Sequence, residues 1–374
     1  MSAHTPSGRA PFAMPDFDRA PFVLIWEVTR ACALVCRHCR ASAEDRRHPD
    51  ELTTSEGCRL LDEAAAMAVP IVVLTGGDPL QREDLEELIA HGAHRGLRIA
   101  TIPAETPRLT RDRVRALASA GVAQIALSLD GSRAEIHDAI RGVPGCFDIA
   151  MRAAEWVREE DVPLQFNTMV CAMNRHELRP LADLGRRLGI VFWEVFLLVP
   201  TGRGAELAAC TPAETEEVFA DLAEIEREAP FVVRFVEAPH YRRFLLQRGL
   251  APRRARDPHR RGVAHAPRPV NAGSGFCFVD HLGEVYPSGF LPISVGNVRQ
   301  RPLAELYRDT PLFRALRDPS QLRGRCGRCE YRVVCGGSRS RAYAATGDPL
   351  GEDPACAYEP VPASVRSSAS GDSA

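Results

Sequence analysis

Short, nearly continuous apolar runs alternate with amphipathic stretches through the first two thirds of the chain. Pro21–Val28, Pro70–Leu74, Leu97–Ile102, Val122–Leu129, Leu164–Cys171 and Ile190–Val199 read as strands buried on both faces. The stretches between them carry apolar residues at helical spacing. Thr53-Thr54-Ser55-Glu56 is a capping box that opens a helix running to about Met67. Further helices are predicted over Arg82–His94, Arg111–Ala120, Ala134–Ile140, Phe147–Glu160 and His176–Leu188. Thr211-Pro212-Ala213-Glu214 caps another, ending near Glu228. Strand and helix thus alternate about six times, which predicts a parallel α/β fold. Polar residues at successive strand ends favour a partial (β/α)6 barrel of the TIM type over an open doubly wound sheet. The first strand–helix turn lacks G-x-G-x-x-G, so a dinucleotide fold is not supported.

The pattern changes after residue 247. Residues 248–274 are rich in Arg and Pro and read as a linker. Gly275–Asp280 and Glu284–Tyr286 look like a hairpin, followed by short helices near Leu303–Tyr307 and Leu312–Leu316. A barrel over 21–247 and a small C-terminal domain over 275–358 are therefore expected. A flexible arm (1–20) and a disordered Ser/Ala-rich tail (359–374) would flank them.

Composition narrows the function. Charged residues make up 26% of the 374 and the net charge is −2, which gives no basic field for nucleic acid. All 47 basic residues are arginines, so a lysine Schiff base or lysine general base is excluded. No apolar run reaches the roughly 20 residues of a membrane span, and Met1–Asp18 has no signal-peptide core, so a cytoplasmic protein is expected. Twelve cysteines in such a protein point to metal or redox chemistry.

Three of those cysteines, Cys32, Cys36 and Cys39, follow the first strand with spacing C-x3-C-x2-C. Three thiolates hold three corners of a cubane iron–sulfur cluster and leave the fourth iron open to a small molecule. A zinc site needs four ligands, and His38 is awkwardly placed to be the fourth. Cys326, Cys329, Cys335 and Cys356 make a set of four, which suits either a complete 4Fe–4S cluster or zinc. Cys58, Cys146, Cys171 and Cys210 read as buried small hydrophobes. Cys171 ends a strand and is the best of these for contact with substrate. Arg203, after the sixth strand, could meet an anionic substrate, while Trp193 reads as core.

With these cysteines placed, the chain resembles the radical SAM superfamily. Gly76-Gly77-Asp78-Pro79 closes the second strand as that superfamily's G-G-x-P segment does. Ser128-Leu129-Asp130-Gly131, His137-Asp138, Arg141-Gly142 and Gly145-x-Phe147 are similar to its peptide- and cofactor-maturing branches. The C-terminal cysteines resemble a SPASM or shortened twitch extension. Phe192-Trp193, Val199-Pro200-Thr201-Gly202-Arg203-Gly204 and Cys335-Gly336-Gly337 resemble the enzymes of haem and haem d1 biosynthesis. The resemblance implies a 4Fe–4S cluster on Cys32, Cys36 and Cys39 that reductively splits S-adenosylmethionine (SAM). The resulting 5′-deoxyadenosyl radical takes a hydrogen from substrate. It implies SAM contacts from Gly76, Gly77, Asp78, Ser128, Asp130, Arg141 and Asn167, and an external flavodoxin- or ferredoxin-type electron donor. It also implies one auxiliary 4Fe–4S cluster on Cys326, Cys329, Cys335 and Cys356. The full SPASM pattern has enough cysteines for two, but Ser288, Ser338 and Arg339 stand at positions where it or its relatives carry cysteine. Cys277 is then a spare hairpin residue or a substitute ligand, the spare role being favoured.

A small-molecule substrate, such as an acidic tetrapyrrole, leads this reading. A maturase of a ribosomal peptide is the alternative, weakened because only 31 residues precede Cys32, too few for a peptide-recognition domain. A non-catalytic electron-transfer or zinc protein would have no use for the polar strand ends.

Overall fold

In the computed structural model, which describes residues 15–250 and 270–361, the first apolar run becomes strand β1 (Val23–Thr29). Leu24, Trp26 and Val28 are fully buried on one face of it; Val23, Ile25 and Glu27 lie on the other. Six more parallel strands follow: β2 (Ile71–Gly76), β3 (Arg98–Thr101), β4 (Gln124–Ser128), β5 (Leu164–Val170), β6 (Phe192–Leu197) and β7 (Val232–Val236). They pair in chain order from β1 to β7. Helices cover the outside: α1 (Thr54–Ala66), α2 (Leu85–His94), α3 (Arg111–Ser119), α4 (Ala134–Arg141), α5 (Cys146–Glu159), α6 (Leu178–Leu188), α7 (Pro212–Glu228) and α8 (His240–Gln247). Trp26 packs so tightly on α1 that a Cβ on Gly57 would lie 2.4 Å from its ring. The result is a partial parallel barrel wrapped by helices. β7 adds a strand to the six expected, because Arg234 interrupts its apolar run.

The C-terminal hairpin does not stand apart. After the short β8 (Asn271–Ala272), strand β9 (Gly275–Val279) pairs parallel to β1, from Val23↔Phe276 to Trp26↔Val279. β10 (Val285–Tyr286) then pairs antiparallel to β9. Burial explains the join: Cys277 and Val279 complete the apolar face of Leu24 and Trp26, and β9 covers an edge of β1 that would otherwise leave backbone groups unpaired. Cys277 therefore faces the fully buried core, and the spare role is the one this register leaves it. The chain continues through α9 (Leu303–Asp309), α10 (Pro311–Arg317), α11 (Gly324–Arg328) and α12 (Arg339–Thr346).

Part of the expected arm is also pinned. Phe17 is buried, its carbonyl accepts the Tyr307 hydroxyl (2.7 Å), and Asp18 pairs with Arg317 (3.1 Å). Residues 1–14, most of the linker (251–269) and most of the tail (362–374) lie outside the described residues.

Both predicted capping boxes form, Thr53 with Glu56 and Thr211 with Glu214. Arg299, beyond β10, also donates to Glu56 from Nε (2.8 Å) and Nη2 (3.0 Å), tying α1 to the C-terminal segment. The Arg299 bonds, with those of Thr53, hold Glu56 at about 2 instead of 4.5. A carboxyl depressed on folding stabilises the fold above its ordinary range and loses that effect as pH falls from 4.5 towards 2. The pair faces solvent, so about 1 kcal/mol is expected from it. Arg299→Gln should lower stability by that amount at neutral pH and flatten its fall between pH 4.5 and 2. Urea unfolding at stepped pH measures both, and an unaltered acid limb would refute the assignment.

Candidate active site

The three-thiol loop leaves the C-terminal end of β1. Cys32 and Cys36 are buried and Cys39 is half-buried. Bonds within the loop, to α4 and to the segment after β6 hold it in place. The Cys32 N–H donates to Glu44 O (2.8 Å) and the Arg37 N–H to Ile140 O (2.9 Å). Arg203 donates from Nε to Cys36 O (2.9 Å) and from its backbone N–H to Cys39 O (3.0 Å). Arg203, expected to face substrate, thus first braces this loop. Gly202 (φ +54°) lets the segment approach, since a Cβ there would sit 2.6 Å from Cys39 O. Burial pushes the Cys32 thiol up to about 12 and raises Cys36 as well, so a metal's charge is what would make them thiolates.

Gly76 and Gly77 close β2 against the root of this loop. The Gly77 N–H donates to Thr29 O (2.8 Å) and the Asp78 N–H to Ala31 O (2.7 Å). A Cβ on Gly77 would stand 2.4 Å from Ala31 O, a backbone atom that no rotamer change can move. Gly77→Ala is expected to cost about 2 kcal/mol and to reduce iron retained after anaerobic gel filtration; wild-type melting and iron content would refute this. The Asp78 carboxylate is committed within the fold, accepting from Thr106 Oγ1 (2.8 Å), Leu80 N (3.1 Å) and Ala104 N (3.3 Å).

Charged groups converge beside Cys36. The Arg141 guanidinium pairs with Asp130 (2.9 Å), lies 3.9 Å from Glu105 and reaches Cys36 Sγ at 3.8 Å. Asp130 is buried, but Arg141, His38, His137 and the Met169 N–H (2.8 Å) hold its carboxyl below the usual range. Glu105 receives the Ser128 N–H (2.8 Å), yet burial outweighs Arg141 and raises it to about 7. Sequence reading passed over Glu105; an acid just beyond the third strand was the available signal. Ser128 and Asn167 face each other across β4 and β5, and Asn167 Oδ1 accepts from Gln165 (2.6 Å).

Buried polar atoms without a hydrogen-bond partner gather here: His38 Nδ1, Glu105 Oε2, Arg141 Nε and Arg203 Nη2. Such atoms are rare unless a ligand completes them. Donors and acceptors of both signs, next to three thiols, suit a cubane whose open iron takes an amino acid's amine and carboxylate. Two other cysteines are placed by the fold. Cys146 packs with Cys32 and Cys36 in one small cluster. The Cys171 thiol is fully buried among Ile140, Met169, Leu198 and Leu207, so it presents no surface to a substrate, contrary to expectation.

The second thiol set lines one partly open pocket, where Cys326, Cys329, Cys335 and Cys356 meet Arg243 and Arg325. Four thiols in one pocket suit either a zinc ion or a complete cubane. The Gly337 N–H donates to Cys335 Sγ (3.4 Å), and a Cβ there would crowd Cys326 Sγ at 3.0 Å. Arg339 approaches Cys326 Sγ (3.6 Å) and Arg243 approaches Cys356 Sγ (3.9 Å), which sets two guanidinium groups beside these sulfurs.

The radical SAM superfamily pattern matches residues 26–185. The chain is 40% identical over 347 residues to an AdoMet-dependent heme synthase of Methanosarcina barkeri (strain Fusaro / DSM 804), covering 93% of this chain and 99% of that protein. It is 30% identical to an Fe-coproporphyrin III synthase of the same organism, over 91% of this chain and 88% of that one. In fold it is similar to Streptococcus suis SuiB bound to S-adenosylmethionine, with TM-score 0.71, 16% identity, and coverage of 91% of this chain and 78% of that one.

Proposed function

Because this chain belongs to the radical SAM superfamily, and so works with a 4Fe–4S cluster and SAM, we propose that its substrate is a carboxylate-bearing tetrapyrrole and that its product is haem. The observation that carries the substrate class is the nearly full-length similarity to an AdoMet-dependent heme synthase. In this reading Cys32, Cys36 and Cys39 hold the catalytic cluster. When bound, cluster and SAM supply a 5′-deoxyadenosyl radical that abstracts hydrogen from substrate. Gly76 and Gly77 bring the β2 end against the loop, where backbone groups receive the methionyl end of SAM. Ser128, Asp130, Arg141 and Asn167 orient SAM, with Glu105 as a further acid in that set. Asp130 and Glu105 hold Arg141 in place, and its unpaired Nε faces the ligand. Asp78 supports the turn. Cys326, Cys329, Cys335 and Cys356 hold one auxiliary 4Fe–4S cluster, and a flavodoxin- or ferredoxin-type protein delivers the electron.

Anaerobic reconstitution tests this. About eight irons per chain are expected, with dithionite-dependent 5′-deoxyadenosine formation that rises on adding iron coproporphyrin III. SAM cleavage that no porphyrin stimulates would overturn the substrate class. A fully iron-loaded protein that never cleaves SAM would overturn the enzyme assignment for this chain.

A further inference from the structure

The sheet has two free edges, at β7 and at the β9–β10 hairpin. The stretch Ser288-Gly289-Phe290 bridges them. Ser288 Oγ donates to Glu237, just after β7, at 3.2 Å. Gly289 O accepts from Arg40 of the thiol loop at 3.4 Å. The Phe290 ring packs on Phe196 of β6, with centroids 6.4 Å apart. Glu237 is the anchor of this bridge. It has φ +55°, a region that L side chains rarely adopt. Arg341 holds its carbonyl from Nη1 (2.8 Å) and from Nη2, and its carboxylate receives the hydroxyls of Ser340 (2.8 Å) and Ser338. Several hydrogen bonds hold the backbone in this region. Ser288 and Ser338, two positions read above as lacking an expected cysteine, thus meet on one carboxylate.

The bridge puts chemistry at the barrel mouth. Phe196 and Phe290 are both half-buried. Arg40 stacks on Phe278 (4.3 Å) and is neutralised by Glu27 (2.8 Å). Two other arginines attached to the thiol loop are less well matched. Arg30 is 3.6 Å from Glu27, its side chain is 35% exposed, and its Nε has no hydrogen-bond partner. Arg203 has an unpartnered Nη2. Flat apolar faces and guanidinium groups that each keep an N–H without a hydrogen-bond partner, all at the C-terminal ends of the strands, are complementary to a planar aromatic ring edged with carboxylates.

We propose that Phe196 and Phe290 form the wall on which the tetrapyrrole plane lies, that Arg30 and Arg203 receive its carboxylates, and that Glu237 is the positioning residue that fixes the wall. This rests on the tetrapyrrole reading above. Iron coproporphyrin III and its tetramethyl ester are titrated into the reconstituted full chain, following the Soret band, with iron content as the control for folding. Phe290→Ala and Phe196→Ala should weaken binding of both porphyrins at least tenfold, and Phe290→Tyr, which keeps the ring, should restore it. Glu237→Gln should weaken both porphyrins as Phe290→Ala does, with iron content unchanged. Arg30→Gln should weaken the free acid and leave the ester unaffected. Wild-type affinity in both phenylalanine variants would overturn the wall while leaving the tetrapyrrole reading intact. Equal loss of acid and ester in Arg30→Gln would overturn the carboxylate role. A wild-type protein that binds neither porphyrin would overturn the tetrapyrrole reading and the wall with it.

Discussion

Cys36→Ala is expected to lower dithionite-dependent 5′-deoxyadenosine formation by about a hundredfold or more. The thiol is buried, carries the nearest approach of Arg141, and belongs to a group of three with no spare member nearby in the sequence. Alanine keeps what the backbone does at this position, since Arg203 bonds the Cys36 carbonyl and not its side chain. The variant should therefore fold, retain about four irons at the other thiol set, and lose the SAM-dependent change in the cluster's electron paramagnetic resonance signal. Cleavage at the wild-type rate would remove Cys36 from the catalytic site.

Cys329→Ala should lose about four irons per chain and keep the cluster whose spectrum responds to SAM. The four thiols of this set come from α11, the loops that flank α12, and the segment after it, so each contributes one corner and none is duplicated. Substrate-dependent turnover should fall, because the pocket that Arg243 and Arg339 border would no longer hold a cluster. Iron analysis with paramagnetic resonance separates the two sites. Retention of all the iron would refute a cluster at this position, and loss of all of it would show that the two sites do not load independently.

Much of the architecture was legible because it is written locally. Capping boxes at Thr53 and Thr211 involve residues three apart, and buried parallel strands show as apolar runs of five to ten residues. β7 escaped because a single arginine broke its run. The hairpin was legible as a hairpin, but its pairing with the barrel was not, because β9 and β1 join residues some 250 positions apart. Cys171 shows the same limit within the site: its place at a strand end was readable, but the apolar residues that enclose it come from four different segments.

Alone, the sequence determined that three thiols sit within eight residues, and therefore near one another in any fold, and that Gly76 and Gly77 end a strand. It determined a second set of four thiols, and so a chemical difference between an incomplete and a complete ligand set. Only the tertiary structure decided that Arg141, Asp130 and Glu105 meet beside Cys36, because Glu105 and Asp130 follow different strands, Arg141 ends α4, and only barrel curvature brings these segments together. It also decided that Arg203 bonds the loop's carbonyls, that Cys277 turns into the core, and that Ser288 and Ser338 meet at Glu237. Each of these depends on strand register or on the closing of one edge towards another, which no local pattern encodes.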